Sequence, residues 1–92
     1  MTEAAEHRLK RVHMRSWRRG MKEMDLILGK YADAVLPNMK SEQLDAYEVL
    51  LDENDQDLYK WVSGGEATPD EYQGLIAEIA AFHGISRESS TH

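Results

Sequence analysis

Chemistry could reside at four places in this chain of 92 residues: its histidines, an acidic run "DENDQDLYKWVS", its carboxylate pairs, and the basic stretch "RSWRRGMKEMD". The histidines are His7, His13, His83 and His92, and no two are spaced i, i+4 as a helical zinc site requires. Cysteine is absent. That removes disulfides, thiolate metal sites, iron–sulfur clusters and cysteine nucleophiles, and it suits a reducing compartment. "DENDQDLYKWVS" places Asp52, Asn54 and Gln56 at alternating positions, as a calcium loop does. However, Asp57 stands where such a loop needs glycine and Ser63 where it needs a bidentate glutamate. Phosphate loops, dinucleotide fingerprints and nucleophile elbows do not occur. Nothing marks any carboxylate pair as buried or perturbed. The expectation is a protein with no catalytic residues, no metal and no tightly bound cofactor.

The basic stretch remains. Residues 1–22 carry seven Lys/Arg against two Glu, a net of +5, while residues 23–92 carry four against fifteen, a net of −11. Such polarity suggests a one-sided surface that orients a partner during encounter, with solvated helix faces as the simpler alternative. Nucleic acid is disfavoured, because the pI is about 5.1 and acidic residues dominate the remainder. Within the stretch, Gly20 separates two helical patterns and can serve as C′ of the first or N-cap of the second. Glu23 then falls near N3, where it favours the dipole and can reach back toward Arg19. Glycine also lets another backbone approach. An open corner at Gly20, rimmed by Trp17, Arg18, Arg19 and Lys22, would suit a partner carrying carboxylates or phosphates.

Five helical segments must position this corner. The first spans about Glu6 to Trp17, with Leu9, Val12, His13 and Trp17 on one side. The second spans about Gly20 to Leu36, its stripe being Met24, Ile27, Leu28, Tyr31, Ala32 and Val35. Pro37 disfavours helix at Leu36 and ends it. Ser41 is a good N-cap for a third helix, whose Leu44, Tyr47, Leu50 and Leu51 face inward. Asn54 caps a fourth, with Asp55 and Asp57 in its first turn, Leu58, Trp61 and Val62 buried, and Gly64-Gly65 ending it. In "TPDE", Thr68 caps, Pro69 is the first helical residue, and Glu71 closes a capping box. Tyr72, Leu75, Ile76, Ile79 and Phe82 form the last stripe. Gly84 is its left-handed C′ residue and Ile85 the hydrophobic follower. His83 complements the helix dipole.

The fold class is therefore all-α, a compact single-domain bundle of about five short helices, with residues 1–5 and 86–92 as flexible tails. A chain of this length buries about 60–65 % of its unfolded surface, enough for one modest core. No apolar run approaches the roughly 18 residues that span a bilayer, so direct membrane insertion is not expected. The opening "MTEAAEH" has no secretory h-region. The basic amphipathic "HRLKRVHMRSWRR" is read as part of the mature fold, which places the chain in the cytoplasm of a bacterium rather than in a mitochondrial matrix.

"RRGMKEMD" resembles the RGxxE signature of the flavinylation factors of succinate dehydrogenase, small helical proteins of the assembly factor 2 type. "RSWRRGMKEMDLILGKYAD" is similar to the family's first loop and second helix. "LLDENDQDLYKWVSG" is similar to its later block, in which a leucine pair precedes an acidic cap, Asp-Leu-aromatic and tryptophan. The likeness covers residues 8–65 and shows no departure at Arg19, Gly20 or Glu23. It implies a non-enzymatic role: binding the flavoprotein subunit of succinate dehydrogenase, and the fumarate reductase flavoprotein as a further client, and promoting covalent attachment of FAD to a histidine there. The bond-forming chemistry would belong to client and flavin, and direct contact of the factor with FAD stays open. Arg19, Gly20 and Glu23 would lie in the client contact, and Trp17, Arg18 and Lys22 extend that patch by proximity. A regulatory binding module, such as an antitoxin-type partner, is the alternative.

Overall fold

The computed structural model describes residues 4–85. The expected tails fall outside these residues except for Ala4 and Ala5, which are the N-cap and first residue of the first helix. The helices are α1 (Ala5–Trp17), α2 (Lys22–Val35), α3 (Ser41–Leu51), α4 (Asp55–Ser63) and α5 (Gln73–Phe82), with 3-10 turns at Leu36–Asn38 and Asp70–Tyr72. No strand occurs among the described residues. The all-α expectation holds because helical periodicity runs through every apolar segment.

The stripes meet in one core. Val12, Met24, Leu28, Tyr47, Leu50, Leu58, Val62, Ile76 and Ile79 are fully buried, and Trp61 is buried with them. α1 contributes few apolar groups to it. Its second buried residue is Ser16, whose hydroxyl bonds the Val12 carbonyl at 2.9 Å and the Tyr47 hydroxyl at 2.7 Å. Burial pushes the Tyr47 phenol up to about 12, so it stays a neutral hydrogen-bonding group linking α1 to α3.

α1 and α2 approach closely at Gly29, which is buried under the Trp17 ring: a Cβ there would overlap the indole. Gly64 (φ 84°) and Gly84 (φ 68°) take the left-handed conformation that ends α4 and α5. Both close Schellman motifs, Gly65 N–H to Lys60 C=O at 2.8 Å and Ile85 N–H to Ala80 C=O at 2.9 Å.

Four local expectations are corrected. The N-cap of α2 is Met21, so Glu23 is its second residue and Gly20 lies in the connection. Lys40, not Ser41, is the N-cap of α3, because the Gln43 side chain accepts the Lys40 N–H at 2.8 Å and draws the helix start back. "TPDE" opens a 3-10 turn flanked by Pro69, and α5 proper begins only at Gln73. Phe82 is 44 % exposed, resting edge-on against Tyr31 at the end of α5 rather than entering the core. Asn54 does cap α4, accepting the Gln56 N–H at 2.8 Å.

Candidate functional site

α1 ends at Trp17, and Arg18 is its C-cap, with φ −119° and ψ 63°. That turn sends Arg19 and Gly20 across to the start of α4. There one carboxylate binds both residues. Asp55 Oδ1 accepts Arg19 Nε–H at 2.7 Å, and Oδ2 accepts the Gly20 backbone N–H at 2.6 Å. Arg19 also donates to the carbonyls of Glu53 at 3.2 Å and Arg15 at 3.5 Å. The Arg19 N–H is held by Asp25 Oδ1 at 2.5 Å. Asp25, two residues beyond Glu23, is thus the acid that reaches back. The Arg19 and Asp55 side chains are only 10 % and 15 % exposed. Asp55 is also the first residue of α4, where the helix dipole favours its charge.

The corner is therefore a clamp, not an open rim of guanidinium groups. Gly20 does not adopt positive φ, and a Cβ there would meet Asp55 Oδ2 at 3.4 Å, an ordinary van der Waals contact, so neither backbone conformation nor space within this chain demands glycine. Trp17 is half-buried, its ring on Gly29 and its indole N–H donating to Asp33 at 3.0 Å. His13 shares that carboxylate. Hydrogen bonds from His13 and then Trp17 hold the Asp33 carboxyl below its usual range. The side chains of Arg18, Lys22 and Glu23 are exposed and make no hydrogen bond or ion pair among the described residues. The six candidates thus divide. Trp17, Arg19 and Gly20 build the corner, while Arg18, Lys22 and Glu23 project from it.

Four of the seven Lys/Arg in residues 1–22 are spent on acids of this chain, Arg19 on Asp55 among them. Arg8 pairs with Asp45 and Glu48, Arg11 with Glu48, and Arg15 with Asp52, each at 2.6 or 2.7 Å. With Arg19 and Asp55, these pairs keep a sequence offset of 36 or 37, apart from the 40 of Arg8–Glu48, so α1 runs alongside α3 in the same direction. Partial burial pushes the Glu48 carboxyl up, but Arg11 and Arg8 outweigh it and hold the group low. The i, i+3/i+4 spacing of both partners was visible in sequence; their facing was not. Sequence reasoning took Asp55 only as a first-turn dipole acid of α4 and assigned no role to Asp25 or Asp33.

Beside Glu23 a shallow groove of about 370 Å³ runs between α2 and α4, lined by Leu26, Ile27, Tyr59, Val62 and Ile85. Leu26 and Tyr59 are exposed there. A rigid corner, an unpaired glutamate side chain and this apolar groove lie side by side. No group of His, Cys, Asp or Glu among the described residues could hold a metal ion. His92 lies outside them. No helix among the described residues is long and apolar enough to cross a membrane.

A family model described as flavinator of succinate dehydrogenase matches residues 10–83. The chain is 35 % identical over 91 residues to succinate dehydrogenase assembly factor 2-B, mitochondrial, of Drosophila mojavensis, covering 97 % of this chain and 58 % of that protein. It is 35 % identical over 79 residues to the mitochondrial assembly factor 2 of Danio rerio, covering 84 % and 50 %. With the mitochondrial assembly factor 2 of Aspergillus flavus it shares 43 % over 60 residues, covering 65 % and 20 %. The chain spans about half the length of the two animal relatives and a fifth of the fungal one. These relatives are named as mitochondrial, which corrects the expected bacterial cytoplasmic location. The opening residues gave no sound basis for that expectation, since the match spans only part of each relative.

Proposed function

Because this chain belongs to the flavinator of succinate dehydrogenase family, we propose that it binds the flavoprotein subunit of succinate dehydrogenase and promotes covalent attachment of FAD to it. The fumarate reductase flavoprotein is proposed as a further client. The role is that of an assembly chaperone and not of a catalyst. The histidine that receives the flavin and the flavin itself belong to the client, and the factor holds the client so that they meet. FAD need not bind this chain tightly.

The observation that carries this proposal is the state of the RGxxE residues. Arg19 and Gly20 are spent on Asp55, which fixes the backbone of the corner. Glu23 is left unpaired one turn away, beside the Leu26–Tyr59 groove. Fixing the corner lowers the ordering cost of docking. An exposed carboxylate next to apolar side chains then supplies both register and contact area to a client surface carrying an arginine or lysine. Arg18 and Lys22 add a positive flank. No observation favours the antitoxin-type alternative, and pairing of Arg8, Arg11, Arg15 and Arg19 withdraws four arginines of the basic segment from any contact with nucleic acid.

The test is covalent flavin fluorescence of the flavoprotein subunit, resolved on a denaturing gel, in cells with and without the gene. Loss of the fluorescent band on deletion, restored by the intact gene, is the expected result. An unchanged band would overturn the assignment.

A further inference from the structure

We propose that the groove between α3 and α5 is a second docking surface, shaped for a basic amphipathic helix of a partner protein. Two depressions of about 180 and 190 Å³ adjoin there, sharing Ala46 and Leu75 on their walls. None of the corner residues lines either one.

The apolar floor is unusually open. Val49 is 55 % exposed. Leu75 is half-buried, and Ala46 is small enough to let a helix backbone come close. On α5 and its 3-10 entry, Glu71, Leu75, Glu78 and Phe82 follow the i, i+4, i+7, i+11 spacing of one helical face. Across the groove on α3 lie Ala46 and Val49. The α5 stripe thus interleaves apolar side chains with the carboxylates Glu71 and Glu78.

Charge selects the occupant. The lining holds two carboxylates, Glu71 and Glu78, and no lysine or arginine. Glu78 accepts the Tyr31 hydroxyl at 2.6 Å, which fixes its carboxylate at the groove wall. Burial, then Glu78 itself, pushes the Tyr31 phenol up, so the phenol remains the donor. The Glu71 side chain makes no hydrogen bond or ion pair among the described residues. This contrasts with the other face of α3, where Asp45 and Glu48 are taken by arginines of α1. Asp45 and Glu48 thus meet a basic helix internally and are paired, whereas in the groove the Glu71 side chain has no partner and Glu78 is bonded only to a neutral phenol. Helix-in-groove docking uses apolar anchors at i, i+3/i+4 and i+7. Glu71 and Glu78, two turns apart, would meet basic residues spaced by seven, roughly 10 Å along the guest helix. A second copy of this chain fits less well, because its own basic helix is already occupied.

The experiment is a titration of the isotopically labelled full chain with two synthetic helical peptides, followed by backbone amide shifts. Both peptides carry the same leucine and alanine seam; one has lysines at the two flanking positions seven apart, the other glutamates. The lysine peptide is expected to shift the amides of Ala46, Val49, Leu75 and Glu78 saturably, and the glutamate peptide to leave them unmoved. Val49→Ser should weaken binding about tenfold, and Glu71→Gln up to about fivefold. Both positions are exposed, and unchanged melting temperatures establish that the variants are folded. Equal shifts with both peptides, shifts confined to the Leu26–Tyr59 groove, no shifts at all, or concentration-dependent shifts without peptide that reveal self-association would each overturn the proposal.

Discussion

Replacing Asp55 by alanine isolates the clamp that holds the RG corner. The side chain accepts two hydrogen bonds, from Arg19 Nε–H at 2.7 Å and Gly20 N–H at 2.6 Å. A hydrogen bond to a charged group contributes about 1.5–3 kcal/mol, and the 15 % exposure of Asp55 allows water to replace part of what is lost. The loss of the first-turn acid of α4 adds about 0.5 kcal/mol. Arg19, only 10 % exposed, would be left without its carboxylate. The combined cost is about 3 kcal/mol, a large share of the roughly 5–15 kcal/mol that stabilises a domain. For a chain of this size it lowers the melting temperature by roughly 10–20 °C. Thermal unfolding followed by circular dichroism measures it, with Asp57→Ala as a control that also removes a first-turn acid of α4. An Arg19→Ala, Asp55→Ala cycle should give a coupling of about 1.5–3 kcal/mol, since each residue is the other's partner. If Asp55→Ala melts within a few degrees of Asp57→Ala, or the two substitutions add without coupling, the corner is not a clamp and the structural role given to Arg19 fails.

Gly29→Ala should destabilise by about 1–3 kcal/mol, because its Cβ would overlap the Trp17 ring, and a shift in Trp17 fluorescence should accompany the loss. Gly74→Ala, with open space around the added methyl group, should instead stabilise by about 0.5–1 kcal/mol in chemical denaturation. Asp33 has a lowered carboxyl pKa in the fold, so its pairing with His13 and Trp17 contributes stability above the unfolded carboxylate value and loses it as pH falls through the folded one. The melting temperatures of wild type and Asp33→Asn should accordingly differ at neutral pH and converge on acidification. Arg15→Ala should cost no more than about 1 kcal/mol, since its partner Asp52 is largely exposed.

Much of this fold is written in local pattern. The stripes of α2, α3 and α4 put the expected residues in the core, and Gly84 with Ile85 closes α5 as its spacing suggests. What escaped was everything fixed by tertiary neighbours. Ser16 looks like a surface residue until Tyr47 meets it. Gly29 looks like a weak point in a helix until Trp17 lies across it. The basic stretch looks like a docking surface until α3 lays its acids alongside. Nothing in "DENDQDL" distinguishes Asp55 from Asp57, yet only Asp55 faces the corner. At the RGxxE signature, resemblance singled out Arg19, Gly20 and Glu23 as client contacts but gave no sign of their different surroundings. The arginine side chain and the glycine N–H turn to Asp55, and the glutamate side chain faces outward without a partner.

That division is tested most directly by reconstituting covalent flavinylation from purified flavoprotein subunit, FAD and this chain, comparing wild type with Glu23→Ala. Glu23→Ala should change stability by no more than about 0.5–1 kcal/mol, the worth of one exposed charge at a helix start. It should nevertheless slow the appearance of covalent flavin severalfold or more, with weaker binding to the subunit. Full flavinylation activity in a folded Glu23→Ala protein, or an equal yield of covalent flavin with no factor added, would contradict the account.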